Sequence, residues 1–167
     1  MRTHGSGLKL GNGGEQNSVR EFVSKLLKLK LIRKSSSPWA SPLLAVRKPD
    51  GVSWRVCLDA RKLNEQTVRM AYPMQRADEA LRSLRGATIF STCDATSGFW
   101  QLPLKESDKK KTAIHSPLGL YEFEVMPFGL INAPSHFASA MDLIIGELKQ
   151  LFVMIYVDDI LIYNVEY

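Results

Sequence analysis

The chain has 167 residues, 45% of them hydrophobic, which is one domain's worth of sequence with ample apolar content for a core. Its net charge is +5, it has no run of 18 apolar residues, and its N-terminus lacks a signal-peptide core. Neither a membrane span nor secretion is expected, which points to an intracellular protein. Cys57 and Cys93 are isolated, and His4, His115 and His136 are scattered. Neither set has zinc-ligand or disulfide-framework spacing.

Charge is unevenly spread. Residues 1–85 carry 17 basic and 7 acidic side chains, and residues 86–167 carry 5 and 10. A basic half suits a polyanion such as nucleic acid or a triphosphate, and an acidic half suits metal ions. Both also read as ordinary solvated faces.

Residues 1–14 hold five of the eleven glycines without a P-loop or dinucleotide fingerprint. Residues 1–17 are expected to be a flexible extension, and a helix is expected from Asn17 or Ser18, either of which could cap it. Val19, Phe22, Val23, Leu26 and Leu27 then share a face. KLLKLKLIRK ends that helix and enters a strand. SSSPWASP (Ser35–Pro42) is extended or turn-like because both prolines restrict the residues before them.

A hairpin follows: Leu43–Lys48, a Pro-Asp-Gly turn, and Ser53–Leu58. With a loop at Pro49–Val52, Val46 faces Arg55, and Lys48 and Arg55 project from one face. Two cations there could grip a triphosphate or simply be solvated. Asp59–Asn64 reads as a short helical turn, and Arg76–Leu84 as a short helix closed by Gly86.

Ala87–Cys93 reads as a strand ending in Asp94, with Phe90, Thr92 and Asp94 on one face. Small residues Ala95, Thr96, Ser97 and Gly98 let a ligand approach, although an Asp after a strand is also a common cap. Gln101–Leu104 and Thr112–His115 flank a charged turn, and Leu120–Val125 is a further strand. Asn132-Ala133-Pro134 opens a helix. Its stripe of Phe137, Met141, Ile144, Ile145 and Leu148 reads as core packing.

The last stretch, LFVMIYVDDILIYNV (Leu151–Val165), sets two aspartates between apolar, β-rich flanks. Asp158-Asp159 is either a solvated hairpin turn or half of a metal site. Two carboxylates in apolar surroundings need cationic compensation. Alternation lets only one of them face a given partner, so a third carboxylate is required, and Asp94 is the candidate. The hairpin's second strand is expected at a sheet edge.

SSSPWASP, KPDGVSWRVCLDARKLN, FSTCDATSGFWQLPL, KTAIHSPLGLYEFEVMPFGLINAPSHF and YVDDILIY, in this order over 19–164, resemble the reverse transcriptase of gypsy-class LTR retrotransposons. The resemblance implies an α+β fold: the fingers and palm of a right-hand polymerase, with an antiparallel palm sheet packed on helices and no thumb. Residues 18–167 would form this domain, ending soon after the YVDD hairpin.

The resemblance implies an RNA-directed DNA polymerase that transfers deoxynucleotides to a primer 3′-hydroxyl. Asp94, Asp158 and Asp159 would be catalytic and hold two Mg²⁺ ions (or Mn²⁺), with Asp94 and Asp158 ranked first. Such ions sit about 3.5–4 Å apart. Lys48, Arg55, Ala95, Phe99, Phe128 and Gly129 match nucleotide-binding positions, Phe99 being the aromatic that crowds the sugar 2′ position. Tyr156 and Val157 match the primer-end side of the hairpin. Expected partners are an RNA or DNA template, a primer, deoxynucleoside triphosphates, and the thumb and ribonuclease H portions of a polyprotein; no membrane is expected. The alternative is an inactive remnant that binds metal or nucleic acid weakly. Lys30 stands where the family commonly ends a helix with Gly, and Ala60 replaces a usual aromatic.

Overall fold

The computed structural model describes residues 13–73, 82, 84–149, 151–156 and 159–164. In chain order the elements are α1 (Gly13–Lys28), β1 (Ile32–Lys34), β2 (Ser41–Arg47), β3 (Trp54–Leu58), α2 (Arg61–Glu65), β4 (Phe90–Asp94), α3 (Glu106–Lys109), β5 (Ile114–Ser116), β6 (Gly119–Phe123), α4 (Ala133–Lys149), β7 (Val153–Tyr156) and β8 (Asp159–Tyr163). They fall into two units. The first spans residues up to Val68 and Trp100–Leu130; the second spans Arg69–Phe99 and Ile131–Tyr167.

In the first unit α1 begins at Gly13, earlier than either expected cap. The supposed flexible extension is therefore too long, since 13–17 are helical. Glu15 in the first turn favours this start by complementing the helix dipole. Ser18 lies inside the helix and donates its hydroxyl to the Gly14 carbonyl at 3.0 Å. Val19, Val23 and Leu26 are buried, at the three- and four-residue spacing of one helical face.

The helix ends as a Schellman motif. The Leu31 amide donates to the Leu26 carbonyl and the Lys30 amide to that of Leu27, both at 3.0 Å. Lys30 takes the left-handed position at φ +56°, a place that favours glycine.

The first unit's sheet has strand order β1-β6-β5-β2-β3. Its pairings are antiparallel apart from β2–β5, which is parallel at Ser41↔Ile114 and Pro42↔His115. Ile32, Leu43, Leu58, Ile114, Tyr121 and Phe123 close the core against α1. The charged stretch after Leu104 is α3 followed by a 3₁₀ turn at Lys110–Thr112, more ordered than the expected turn. Gln101–Leu104 is not a strand. Gly98–Gln101 is a 3₁₀ turn, and the segment touches the sheet as one bridge, Pro103↔Val125.

Glu122 is buried on β6 and needs partners there. Arg33 Nε donates to it at 2.8 Å, and the Ser35 hydroxyl donates to its second oxygen. Arg33 also pairs with Glu106 and Glu124, and Lys109 pairs with the same two acids. Hydrogen bonds from Arg33 to Glu106 and Glu122 hold its guanidinium well above the ordinary arginine range.

The second unit holds an antiparallel sheet of order β4-β8-β7. β8 is central rather than at an edge, because β4 from far upstream pairs along its outer side. Thr88 and Ile89 each donate a backbone N–H to Asn164 Oδ1 at 2.8 Å, tying the entry of β4 to the end of β8.

On α4, burial is confined to Ala133 and Phe137 near its start. Ile144 and Leu148 are 72% and 38% exposed, so the expected apolar stripe is core only in part. The segment before β4 is anchored to this helix. The Met70 amide donates to Asn132 Oδ1 at 3.0 Å, and the Tyr72 hydroxyl donates to Asp142. Burial pushes the Asp142 carboxyl up, but hydrogen bonds from Lys149 and Tyr72 outweigh it and hold the group below its ordinary range. The expected helix at Arg76–Leu84 lies outside the described residues apart from Arg82 and Leu84. Gly86 does take a left-handed φ of +87°.

Candidate active site

β4 and β8 run antiparallel with Phe90↔Tyr163, Thr92↔Leu161 and Asp94↔Asp159 in register. Residues directly opposite share a face, with Cβ atoms about 4.5–5.5 Å apart. Asp94 and Asp159 are thus neighbours on one side of the sheet, and both are exposed. On its other flank Asp159 pairs with Tyr156 of β7. Asp159, ranked behind its neighbour from alternation, takes the place across from Asp94. Asp158 and Val157 lie outside the described residues.

Two ionised carboxylates directly opposed repel each other. Among the described residues neither has a hydrogen-bond or ion-pair partner, so nothing there offsets the repulsion. The donors are hard oxygens on a paired backbone, which suits an oxygen-seeking divalent cation such as Mg²⁺. No group of three His, Cys, Asp or Glu side chains gathers among the described residues.

Just past Asp94 the chain folds tightly. Ser97 is left-handed at φ +52°, and the Gly98 amide donates to the Ala95 carbonyl at 2.9 Å. The turn leads directly into Phe99, which is buried and meets Phe137 of α4 edge-on, with centroids 5.6 Å apart at 74°. Only four residues therefore lie between the acidic Asp94 and this aromatic side chain.

The β2–β3 hairpin of the first unit has the expected register, with Val46↔Arg55 paired and the Lys48 amide donating to the Ser53 carbonyl at 2.9 Å. Lys48 and Arg55 therefore lie on one face, and neither has an ion-pair partner among the described residues. Asp50 builds the turn. Its Oδ1 accepts from the Val52 and Ser53 amides at 2.9 Å each, and its Oδ2 accepts from the Ser53 hydroxyl. These bonds, the Ser53 hydroxyl's first, lower its pKa to about 2. Arg47 lies over the Trp54 ring at 5.1 Å, adding a cation–π contact on the hairpin.

Phe128 and Gly129 lie in the turn before α4. Gly129 has φ +99°, and a Cβ there would lie 3.2 Å from the Leu58 carbonyl oxygen. Its own carbonyl accepts from Asn64 Nδ2 on α2 at 2.8 Å. Phe128 meets Trp100 edge-on at 5.6 Å. Ala60 is buried beneath this turn, 3.9 Å from the Cβ position of Gly129.

Sequence reasoning missed Asn64, which holds the Gly129 turn, and Phe137, which backs Phe99. Asn64 carried a faint signal as a polar residue closing a short helix. Phe137 was read as undifferentiated core.

Residues 46–166 match the family model described as reverse transcriptase (RNA-dependent DNA polymerase). The chain is 40% identical over 150 residues to the retrovirus-related Pol polyprotein from transposon 297 of Drosophila melanogaster, covering 87% of this chain and 14% of that protein. It is 32% identical over 151 residues to the transposon Tf2-3 polyprotein of Schizosaccharomyces pombe, covering 90% of this chain and 11% of that one. A prototype foamy virus protease-reverse transcriptase superposes with a TM-score of 0.79 at 28% identity, over 89% of this chain and 20% of that one. The foamy viral enzyme in complex with an RNA/DNA hybrid gives 0.76 at 26% identity, over 93% of this chain and 20% of that one. The chain thus spans a small fraction of the length of these proteins, and its fold is that of polymerase fingers and palm. Intact carboxylates on β4 and β8, the family model and the retrotransposon relatives agree, and the chain belongs to the reverse transcriptase family.

Proposed function

We propose that this chain is the catalytic portion of an RNA-directed DNA polymerase of the gypsy class, which adds deoxynucleotides to a primer 3′-hydroxyl on an RNA or DNA template. The observation that carries this reading is the Asp94↔Asp159 pair, two unpartnered carboxylates fixed side by side by the β4–β8 register. With Asp158 they would hold two Mg²⁺ or Mn²⁺ ions, which supply Lewis-acid charge compensation for phosphoryl transfer. Phosphoryl transfer asks the protein chiefly for alignment and electrostatics. Lys48 and Arg55 supply positive charge for a triphosphate, Arg55 being able to bind it bidentately. Phe99 excludes a 2′-hydroxyl by bulk. Tyr156, beside Asp159, belongs to the primer-end wall of the hairpin.

The test is primer extension on a primed RNA template by the protein of the whole open reading frame containing this sequence. Mg²⁺-dependent incorporation in the parent protein, lost in Asp94→Asn and in Asp159→Asn, is the expected result. Extension that survives either substitution overturns the reading. No extension by the parent protein favours a remnant that has lost synthesis.

A further inference from the structure

We infer that Phe137 is a positioning residue for sugar selectivity: it holds Phe99 in place through the Gly98 turn. This rests on the proposed role of Phe99 as the residue that excludes a 2′-hydroxyl. Phe137 is the one large side chain that α4 buries among the described residues, and it is 3% exposed. Its ring does two things there. Its edge meets the Phe99 ring at 5.6 Å and 74°. Its Cε2 and Cζ also lie 2.8 and 2.9 Å from where a Cβ on Gly98 would sit. Real Cβ contacts are not that short, so only glycine lets the ring reach the turn.

Phe99 is carried on a tight turn that runs into a short 3₁₀ segment. The turn is built on the left-handed Ser97 and on the Gly98 amide bond to Ala95. A steric gate works by position, and about 1 Å of misplacement changes rates substantially. An aromatic side chain carried on such a tight turn needs a rigid backing, and Phe137 supplies it from a seventeen-residue helix.

The test measures kcat/KM for a deoxynucleotide and for the matching ribonucleotide, using the protein of the whole reading frame. Phe137→Leu keeps most of the volume but removes the ring edge. It is expected to lower the deoxy/ribo ratio about three- to tenfold, the worth of an edge-on aromatic pair. Gly98→Ala displaces the ring from the other side and is expected to lower the ratio as Phe137→Leu does. In a Phe99→Val background, Phe137→Leu is expected to change the ratio no further. A purely structural contribution lowers both kcat/KM values together and leaves the ratio unchanged, which would overturn the inference. So would a Phe137→Leu effect that persists in the Phe99→Val background. If Phe99→Val alone leaves the ratio unchanged, the gate reading of Phe99 fails instead.

Discussion

Asp94 on β4 and Asp159 on β8 are directly opposed across an antiparallel ladder, so their carboxylates share one face with no cation beside them among the described residues. Such a pair costs folding free energy in the absence of a divalent ion. Asp94→Asn is therefore expected to raise stability in chelator by about 0.2–1 kcal/mol, the size of a like-charge cross-strand penalty. Added Mg²⁺ should raise the unfolding midpoint of the parent protein and leave that of the variant nearly unchanged. Urea melts with and without Mg²⁺ check this, and equal Mg²⁺ responses in both proteins would contradict it.

Lys30 occupies a left-handed position that glycine takes without penalty. Lys30→Gly is expected to stabilise the chain by about 1 kcal/mol, since relief of the left-handed strain exceeds glycine's extra unfolded-state freedom. Thermal unfolding of the two proteins side by side measures it, and a lower melting temperature for the glycine variant would refute the Schellman assignment.

Arg33 offsets the charge of Glu122, which is 3% exposed. Arg33→Ala leaves that carboxylate buried with only the Ser35 hydroxyl as partner. A clear drop in the denaturation midpoint is expected, smaller than for a fully buried pair because Arg33 itself is 39% exposed. Chemical denaturation measures it. An unchanged midpoint would mean that water reaches Glu122.

Asp50, Asp59, Glu106 and Asp142 all lie below their ordinary range, and Asp50 and Glu106, both exposed, contribute part of the acid limb of stability. The Ser53 hydroxyl and backbone bonds hold Asp50 at about 2, below its ordinary 3.8. Arg33 and Lys109 hold Glu106 at about 2, below its ordinary 4.5. A folded-state value below the unfolded one stabilises fully above the unfolded value and is lost as pH falls through the folded one. The urea midpoint should therefore be insensitive to these groups above about pH 5 and fall between about pH 4 and 2. Asp50→Asn should flatten part of that fall; an unchanged slope would remove Asp50 from the account.

Gly129 combines a φ of +99° with a Leu58 carbonyl oxygen 3.2 Å from any added Cβ. Gly129→Ala is expected to cost about 1–3 kcal/mol and to weaken nucleotide binding. Asn64→Ala, which removes the hydrogen bond to the Gly129 carbonyl, should cost about 1 kcal/mol with a smaller effect on binding. Denaturation and nucleotide titration distinguish the two.

The legible parts of this fold were those governed by local chemistry. Pro49-Asp50-Gly51 fixes its turn through side-chain acceptance by Asp50, so the Val46↔Arg55 register could be read before any coordinates. Spacing alone placed Val19, Val23 and Leu26 inside. Tertiary pairing was the illegible part. Nothing local to Asp159 says that β4, some seventy residues upstream in sequence, will lie beside it and make β8 central. Nor does a helical stripe say how far its cover extends, so Ile144 and Leu148 looked like core and are exposed. The start of α1 was missed for a different reason. Gly13 and Gly14 argue against a helix by propensity, yet the segment joins a helix already secured by the packing of Val19 and Val23.

The central place of β8 decides what mutation can and cannot do to the acid it carries. From Asp159 to Ile162 the strand is laddered on both sides at every residue. Shifting it by one position would break both ladders together and turn Asp159 through the sheet to the opposite surface. The aim of that carboxylate is thus locked by main-chain amides rather than by side-chain identity. Ile160, Leu161 and Ile162 can be exchanged for other β-formers at a cost in robustness only, whereas deleting any one of them would disarm the sheet.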